Sequence, residues 1–276
     1  MSRVPIADLD QRFATTPPPV ELTWLHQQSL FSNAERRRRP IPTLGPRIID
    51  VGSGLGQVAA DWAAGLPNVT QVIGLEADPV AARYAREWTH DFDLPLTFVS
   101  GDLYQWAPDA PVTGITCRLV LQHLADVPAA LRQFYRWLEP GGVVLIEDID
   151  EGYRVDWPAF PPAWTKATSA FTAYQSHCGG DRQVGRKLGP WLLEVGFQAS
   201  ATVEVGTQTS ILTLDDPTLA WMRQRIGALV PAFEAAGLLT ASDWADAEAS
   251  LADWLPRAVY QSGATVLWTA RRPLES

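Results

Sequence analysis

The chain has 276 residues, of which 46% are hydrophobic and 19% are charged, and this composition excludes disorder, collagen and a coiled coil as descriptions of the whole chain. The net charge of −9 disfavours binding to a phosphate backbone. Two separated cysteines, Cys117 and Cys178, predict neither a disulfide framework nor a zinc site. We expect a soluble, cytoplasmic protein without a membrane span, monomeric or homodimeric, whose partner is a small molecule and not a nucleic acid.

The first 46 residues differ in pattern from the rest of the chain. They contain the turn-rich stretch TTPPP and, between Val20 and Phe31, apolar residues at helical spacing. We therefore predict an N-terminal helical cap over 1–46, which packs on a larger domain over 47–276.

From residue 47 onward, short apolar runs alternate with segments of helical pattern. Predicted strands cover 47–52, 71–77, 96–102, 114–121 and 141–150, and predicted helices cover 57–65, 79–92 and 127–138. The strands are mostly apolar rather than alternating, which is typical of parallel strands covered on both faces. The predicted fold class is therefore α/β, with a doubly wound, mostly parallel sheet.

The alternation of strands and helices stops after Asp150. Residues 151–184 are rich in proline and aromatic residues, and residues 215–260 carry a helical pattern. We expect both segments to be insertions that cover a substrate, and we call residues 215–260 the lid. The remaining predicted elements are helices over 163–177 and 188–197 and strands over 199–209 and 263–273.

Three glycines, Gly52, Gly54 and Gly56, lie between the first predicted strand and its helix. Glycine lets a backbone turn sharply and approach a ligand without a Cβ collision, and the helix N-terminus adds free N–H donors. The spacing is GxGxG, which differs from the GxGxxG of dinucleotide-binding proteins. The glycines therefore predict a ligand-binding loop without identifying the ligand.

Two carboxylates follow at the ends of the next two strands. Glu76 ends the second strand, where it can accept hydrogen bonds from both hydroxyls of a ribose. Asp102 ends the third strand, where it can accept from an adenine amino group while Leu103 packs on the ring. Because open α/β sheets bind ligands at the carboxyl ends of their strands, these residues and the glycine loop predict one shared site.

In these features the chain resembles the class I S-adenosylmethionine-dependent methyltransferases, close to the subgroup of ubiquinone, menaquinone and other small-molecule methyltransferases. The resemblance extends over 47–208 and implies S-adenosylmethionine as the cofactor. It also implies a seven-stranded sheet in the order 3-2-1-4-5-7-6, with the seventh strand reversed. The matching stretches are IIDVGSGLGQ, GLEAD, SGDLYQW, CRLVLQHLADVPAALRQFYRWLEPGGVVLIED and GRKLGPWLLEVGF.

Carried over by position, the resemblance implies that Asp50 orders the glycine loop, that Glu76 binds the ribose and that Asp102 binds the adenine. Arg118 ends the fourth strand, and its guanidinium can pair with the methionine carboxylate of the cofactor; the alternative is that it bonds carbonyls at a helix end. The other residues assigned to the cofactor are Gly52, Ser53, Gly54, Gly56, Gln57, Ala77 and Leu103.

Methyl transfer from a sulfonium requires alignment and exclusion of water more than it requires a base. His123 lies just after the fourth strand and is a candidate general base, because histidine titrates near neutrality. The alternative is that His123 caps or packs in the following helix.

Four residues are candidates for binding the acceptor: Glu147, Asp148, Trp164 and Tyr174. The two carboxylates either face the substrate or hold a loop, and the aromatic residues either form an apolar pocket or pack the core. No metal site is expected, because a magnesium-assisted mechanism needs carboxylates at the ends of strands four and five together, and strand four ends in Arg118.

The predicted function is transfer of a methyl group to an oxygen, nitrogen or carbon atom of a small, partly apolar acceptor. One alternative is an S-adenosylmethionine-binding protein with a non-methylating role, since a fold and a cofactor do not fix the reaction. The other is an NAD(P)-dependent oxidoreductase, which shares the order of strand, glycine turn and acidic residue but has a different glycine spacing.

Overall fold

The computed structural model describes the backbone of residues 4–36, 44–212, 217–254 and 259–274, with a sheet of eight strands at its centre. The strands are β1 Arg47–Val51, β2 Gln71–Glu76, β3 Leu96–Ser100, β4 Val112–Arg118, β5 Leu138–Ile149, β6 Val155–Trp157, β7 Gln198–Leu212 and β8 Val259–Arg271. The helices are α1 Ile6–Thr15, α2 Thr23–Arg36, α3 Gln57–Gly65, α4 Pro79–Thr89, α5 Val127–Trp137, α6 Pro162–His177, α7 Val184–Val195, α8 Pro217–Ala235 and α9 Ala241–Trp254. Short 3₁₀ turns lie at Val20–Leu22, Leu121–His123 and Glu151–Tyr153.

The strands lie in the order β3-β2-β1-β4-β5-β8-β7, and β6 pairs with β8 beyond the end of β5. Strands β1 to β5 are parallel, whereas β8 runs antiparallel to β5 and β7. With β7 and β8 counted as the sixth and seventh strands, this is the order 3-2-1-4-5-7-6, so the predicted fold class is confirmed. The short strand β6 was not predicted, because three residues are too few for a readable alternation.

Both faces of the sheet are covered by helices, because adjacent residues of a strand point to opposite faces and both are apolar here. Ile49 of β1 packs with Phe134 of α5 and Leu188 of α7. Its neighbour Ile48 packs with Trp62 of α3 on the opposite face. All of these side chains are buried, and the double coverage explains why the strands read as continuous apolar runs.

The N-terminal region forms two helices, of which the sequence pattern predicted only α2. Leu9 and Phe13 are four residues apart on α1, and both are buried. The Phe13 ring stacks on His26 of α2 and meets the rings of Tyr84 and Trp88 of α4 edge-on. These contacts attach the N-terminal helices to α4; residues 1–3 and 37–43 of the predicted cap lie outside the described residues.

The predicted lid contains α8 and α9, while its residues 215–216 and 255–258 lie outside the described part of the chain. Both helices pack against α6 in a hydrophobic cluster of their own. Trp164 of α6 and Phe233 of α8 are fully buried in it. The lid and the second half of the 151–184 insertion therefore form one helical layer with its own core.

We expect Phe13→Ala to lower the free energy of unfolding by about 3–5 kcal/mol, because it leaves a cavity among buried aromatic rings. Urea denaturation followed by circular dichroism measures this loss. Val20→Ala is the matched control, since Val20 is 89% exposed and its truncation should change the same free energy by less than about 0.5 kcal/mol. Equal effects of the two variants would contradict the described packing of α1.

Candidate functional site

A cavity of about 520 Å³ lies at the carboxyl ends of β1, β2, β3 and β4, the edge at which open α/β sheets bind ligands. Its volume is in the range of small-molecule sites. Most of the residues that the sequence assigned to a site line this cavity: Asp50, Gly52, Ser53, Gly54, Gln57, Glu76, Ala77, Asp102, Leu103, Arg118 and His123.

The cap and the lid meet above this cavity. The indole N–H of Trp221 on α8 donates to the backbone carbonyl of Trp24 on α2, at 3.1 Å. The guanidinium of Arg225, one turn further along α8, lies 4.1 Å from the centre of the Trp24 ring. All three side chains line the cavity, so α2 and α8 together form the wall that faces the strand ends.

The glycine loop is held by backbone bonds to β2. The N–H groups of Gly52 and Ser53 donate to the carbonyl of Leu75 at 2.8 and 3.0 Å, and the N–H of Gly54 donates to the Glu76 carboxylate at 2.7 Å. Gly52 has a φ of +64°, and a Cβ there would lie 2.2 Å from a methyl carbon of Val120. A glycine is required at this position for both its conformation and its space.

Asp50 lines the cavity, whereas Gly56 lies away from it. The carboxylate of Asp50 accepts a hydrogen bond from the Thr116 hydroxyl at 2.6 Å and so joins β1 to β4. Gly56 does not line the cavity; a Cβ there would lie 2.5 Å from the ring of Phe98 and 2.8 Å from Ala85. The third glycine therefore permits close packing of the α3 N-terminus on β3 and α4.

Glu76 and Asp102 lie at the ends of β2 and β3, as predicted. Both carboxylates already accept hydrogen bonds from backbone N–H groups. Glu76 accepts from the N–H of Asp78 at 2.9 Å as well as from the glycine loop. Asp102 accepts from the N–H of Tyr104 at 2.9 Å. Each carboxylate has two oxygens and about four lone-pair sites, so both retain acceptor capacity toward the cavity.

Two buried acceptors of the cavity wall lack a hydrogen-bond partner among the described residues. They are the hydroxyl oxygen of Ser53 and the amide oxygen of Gln57, and the two side chains are 7% exposed. Both oxygens have almost no accessible surface, and the Ser53 hydroxyl lies next to Gly74 of β2. These two atoms are therefore part of the packed base of the glycine loop.

Arg118 lines the cavity and is paired with a buried carboxylate. Its Nε donates to Glu147 at 3.0 Å, and the two side chains are 18% and 8% exposed. Glu147 does not belong to the cavity lining, so it holds Arg118 rather than an acceptor. A guanidinium carries five N–H donors in total, and the bond to Glu147 uses the one on Nε. The donors on the two terminal nitrogens can therefore bind a ligand.

Asp148 is fully buried below the turn that carries His123. Its carboxylate accepts from the backbone N–H of Gln122 at 3.2 Å and of Ile149 at 2.8 Å. Burial raises the pKa of Asp148 to about 7, because a charge is disfavoured away from water. Of the two alternatives for this residue, the structure supports the one in which Asp148 holds a loop.

His123 faces the cavity, but its environment differs from the prediction. Burial and the nearby guanidinium groups of Arg182 and Arg225 lower the pKa of His123 to about 4. Desolvation and two positive charges all disfavour the imidazolium, so these surroundings oppose the expected titration near neutrality. The amide nitrogen of Gln175 donates to its Nδ1 at 3.4 Å, an arrangement that leaves the ring proton on Nε2.

The aromatic residues predicted to contact an acceptor lie elsewhere. Trp164 is fully buried in the core of the lid layer, and Tyr174 packs against Phe233 in the same layer. Neither belongs to the cavity lining. The aromatic residues that do line the cavity are Trp24, Tyr104, Phe171 and Trp221.

A polar network at the lid end of the cavity was missed by the sequence reasoning. Arg182 pairs with Glu151 and donates to the side-chain oxygen of Gln175 at 2.7 Å, and Gln175 donates to the carbonyl of Gln122 at 2.8 Å. The hydroxyl of Thr172 donates to Glu151 at 3.0 Å. These residues come from four separate segments, so no spacing in the sequence could have grouped them.

Neither a metal site nor a membrane span is found among the residues that the structure describes. Among them, no group of three or more His, Cys, Asp or Glu side chains has the arrangement of a metal site. None of the described helices has the combination of length and hydrophobicity that a membrane span needs.

Residues 23–201 match the protein family described as "Methyltransferase domain". The trans-aconitate 2-methyltransferase of Azoarcus sp. (strain BH72) is 32% identical over 133 residues, which cover 45% of this chain and 50% of that protein. The chain spans half or less of the length of the first curated relatives, with shares of 24%, 29% and 50%.

Two solved structures have similar folds. Phosphoethanolamine N-methyltransferase 2 of Haemonchus contortus, in complex with phosphomonomethylethanolamine and S-adenosylhomocysteine, gives a TM-score of 0.55 at 19% identity, over 98% of this chain and 60% of that one. The [4+2]-cyclase SpnF gives a TM-score of 0.53 at 18% identity, over 98% of this chain and 94% of that one. At these identities the likeness is one of fold.

We expect the imidazole of His123 to titrate with a pKa of about 4, because it is desolvated beside two guanidinium groups. A pH titration of the histidine ring protons by NMR measures this value, and the resonance missing from the spectrum of His123→Asn identifies the residue. A pKa near 6.5 for that resonance would contradict the described surroundings.

We expect Asp148 to make folding less favourable as the pH rises. Its folded pKa of about 7 exceeds the ordinary 3.8, so the folded state binds a proton that the unfolded state releases, and stability falls between about pH 4 and pH 7. Asp148→Asn removes this titration. The free energy of unfolding of the variant should therefore rise relative to that of the wild type as the pH increases, by an amount on the order of a few kcal/mol. Urea unfolding of both proteins across this range measures it; a difference independent of pH would contradict the expectation.

Proposed function

The chain belongs to the methyltransferase family, whose domain matches residues 23–201, with S-adenosylmethionine as the cofactor, and from this premise we propose that it moves a methyl group to an oxygen, nitrogen or carbon atom of a small organic acceptor. The observation that carries the proposal is the joint presence, on one cavity wall, of the Glu76 and Asp102 carboxylates and of the glycine loop that Glu76 holds. Family membership favours this function over the nicotinamide-dependent alternative.

The cavity residues fit the parts of the cofactor in order. Glu76 would hold the ribose hydroxyls and Asp102 the adenine amino group, with Leu103 and Ala77 against the ring. Ser53, Gly54 and Gln57 line the same cavity and would lie against the methionine part of the cofactor. Arg118, kept in place by Glu147, would bind the methionine carboxylate.

The cofactor supplies a methyl group on a positively charged sulfur. The protein's task is then to align the acceptor and to exclude water, because the positive charge disappears during transfer and is favoured to do so in a dry site. The Trp24–Trp221 contact between cap and lid closes the cavity on the side away from the strands. We propose that the lid binds the acceptor, over the cofactor end formed by the sheet.

In this proposal His123 orients the acceptor rather than removing its proton. A histidine with a pKa of about 4 is neutral at physiological pH and is a weak base there. With its ring proton on Nε2, it can donate a hydrogen bond to the acceptor. A hydroxyl or amine acceptor then keeps its proton during the transfer, and the methylated product releases it to solvent on leaving the cavity.

The wider setting belongs to the same proposal. The relatives are named for transfer to trans-aconitate and phosphoethanolamine, which supports a small-molecule acceptor but does not identify it. The net charge of −9 supports a partner other than nucleic acid. The free thiols of Cys117 and Cys178 support a reducing, cytoplasmic setting, and a monomer or homodimer remains the proposed state.

We expect Glu76→Gln to weaken the binding of S-adenosylhomocysteine by about tenfold or more, because the ribose hydroxyls lose a charged acceptor. Isothermal titration calorimetry measures the affinity, with NADH as a ligand that should not bind comparably. Glutamine keeps the size of the side chain and one acceptor for the glycine loop. Glu87→Gln is the matched control, since Glu87 is exposed on α4 and far from the cavity lining.

An unchanged affinity in Glu76→Gln would remove the central argument for this cofactor site. Because a [4+2]-cyclase shares the fold, turnover must be measured by its products. Mass spectrometry should find one S-adenosylhomocysteine for each methylated acceptor. Retention of the cofactor without methylation of any acceptor tested would favour a non-methylating role.

A further inference from the structure

Arg225 is a cation in the cavity wall for which the described residues provide no acidic partner. Its side chain is half-buried on α8, and burial lowers its pKa below the ordinary value of an arginine. Among the described residues, no carboxylate or carbonyl accepts a hydrogen bond from it; its contact is the face of the Trp24 ring. A stacked guanidinium keeps the N–H donors in its plane free for a ligand.

The other arginines of the cavity lining differ in this respect. Arg118 pairs with Glu147, Arg154 with Asp156 and Arg182 with Glu151. Each of these guanidinium groups has a carboxylate partner within the protein. Arg225 is therefore the arginine of the cavity lining for which the described residues provide no carboxylate partner.

The surroundings of Arg225 form a positive region at the lid end of the cavity. Arg225 and Arg182 both lie close enough to His123 to lower its pKa. The carboxylates Glu76 and Asp102 lie at the other end, on β2 and in the loop after β3. The cavity therefore has an acidic end, suited to ribose and adenine, and a basic end, which those parts of the cofactor do not use.

We propose that the acceptor carries an anionic group, a carboxylate or a phosphate, and that Arg225 binds this group at the lid end of the cavity. The proposal rests on the proposed function, since it assumes that the sheet end holds the cofactor. The apolar side chains of Trp221, Met222 and Phe171 line the same end and provide contact for the carbon skeleton. Arg225 is then a specificity residue that favours an acid over its neutral analogue.

Arg225 favours an anionic acceptor because a partly buried, unpaired charge has an unfavourable desolvation free energy. A guanidinium that has lost water but gained no carboxylate is stabilised by an anion much more than an exposed one is. A neutral acceptor of the same shape leaves that cost in place, so the site rejects it. The neighbouring Arg182 is balanced by Glu151, which also lines the cavity, so the argument depends on the charge of Arg225.

The test uses the full chain saturated with S-adenosylhomocysteine and three probes of similar size: benzoate, phenyl phosphate and the neutral benzamide. Affinities are measured by calorimetry or by ligand-observed NMR for the wild type, Arg225→Gln and Arg223→Gln. Arg223 is the matched control, because it lies on the same helix and pairs with Glu248, and it does not belong to the cavity lining. Titration with S-adenosylhomocysteine reports whether each variant keeps its cofactor end.

We expect at least one anion to bind the wild type about tenfold or more tightly than benzamide. Arg225→Gln should lose that advantage, and Arg223→Gln should keep it. A preference between benzoate and phenyl phosphate distinguishes a carboxylate acceptor from a phosphate one. The proposal is overturned if the wild type binds neither anion, or if it binds the anions and benzamide with equal affinity. It is also overturned if Arg225→Gln and Arg223→Gln lose the same amount of anion affinity.

Failure of the proposed function is separable from failure of this inference. If the wild type binds no S-adenosylhomocysteine, the cofactor assignment fails, and the same titrations are repeated without it. Anion binding that depends on Arg225 under those conditions supports the anionic site by itself. Anion binding that ignores Arg225 overturns it.

Discussion

The contact between the Glu76 carboxylate and the N–H of Gly54, 2.7 Å long, determines much of the rest of the site. Glu76 ends β2, and its other oxygen accepts from Asp78 at the start of α4. One carboxylate thus ties the glycine loop after β1 to the next strand and the next helix. Because the loop is held in this way, the oxygens of Ser53 and Gln57 stay buried at the cavity without partners of their own.

The second level of organisation is the meeting of cap and lid over the strand ends. The aromatic cluster around Phe13 attaches the N-terminal helices to α4, and a separate cluster joins α8 and α9 to α6. The two layers touch through Trp24, Trp221 and Arg225. The wall opposite the cofactor end is therefore built from parts with independent cores, which allows acceptor specificity to change without disturbing the sheet.

Electrostatics in this cavity follow from burial more than from residue type. Asp148 is fully buried and has a pKa of about 7, whereas His123 lies between desolvating walls and two guanidinium groups and has a pKa of about 4. The pKa of the aspartate is thus higher than the pKa of the histidine, which is the reverse of the order that these two residue types have in water. Within the proposed function, these surroundings favour a positioning role for His123 over general base catalysis.

The sequence by itself determined the sheet and the cofactor end. Apolar runs, the glycine turn and the acids Glu76 and Asp102 are each local in the chain, and the parallel topology brings the strand ends together at one edge. These patterns predicted most of the elements, and the resemblance to the methyltransferase family supplied the strand order. The helix α1 and the strand β6 could not, because one lies in a segment of mostly polar character and the other has three residues.

Only the tertiary structure decided the acceptor end. Trp164 and Tyr174 have the composition of a binding pocket but face the core of the lid layer, and Arg118 and Glu147, 29 residues apart, are paired with each other. The partnering of arginines, the pKa of His123 and the free guanidinium edge of Arg225 depend on distances between segments that are far apart in the chain. Local pattern specifies which face of an element is apolar, but which charges meet is fixed only when separate elements pack.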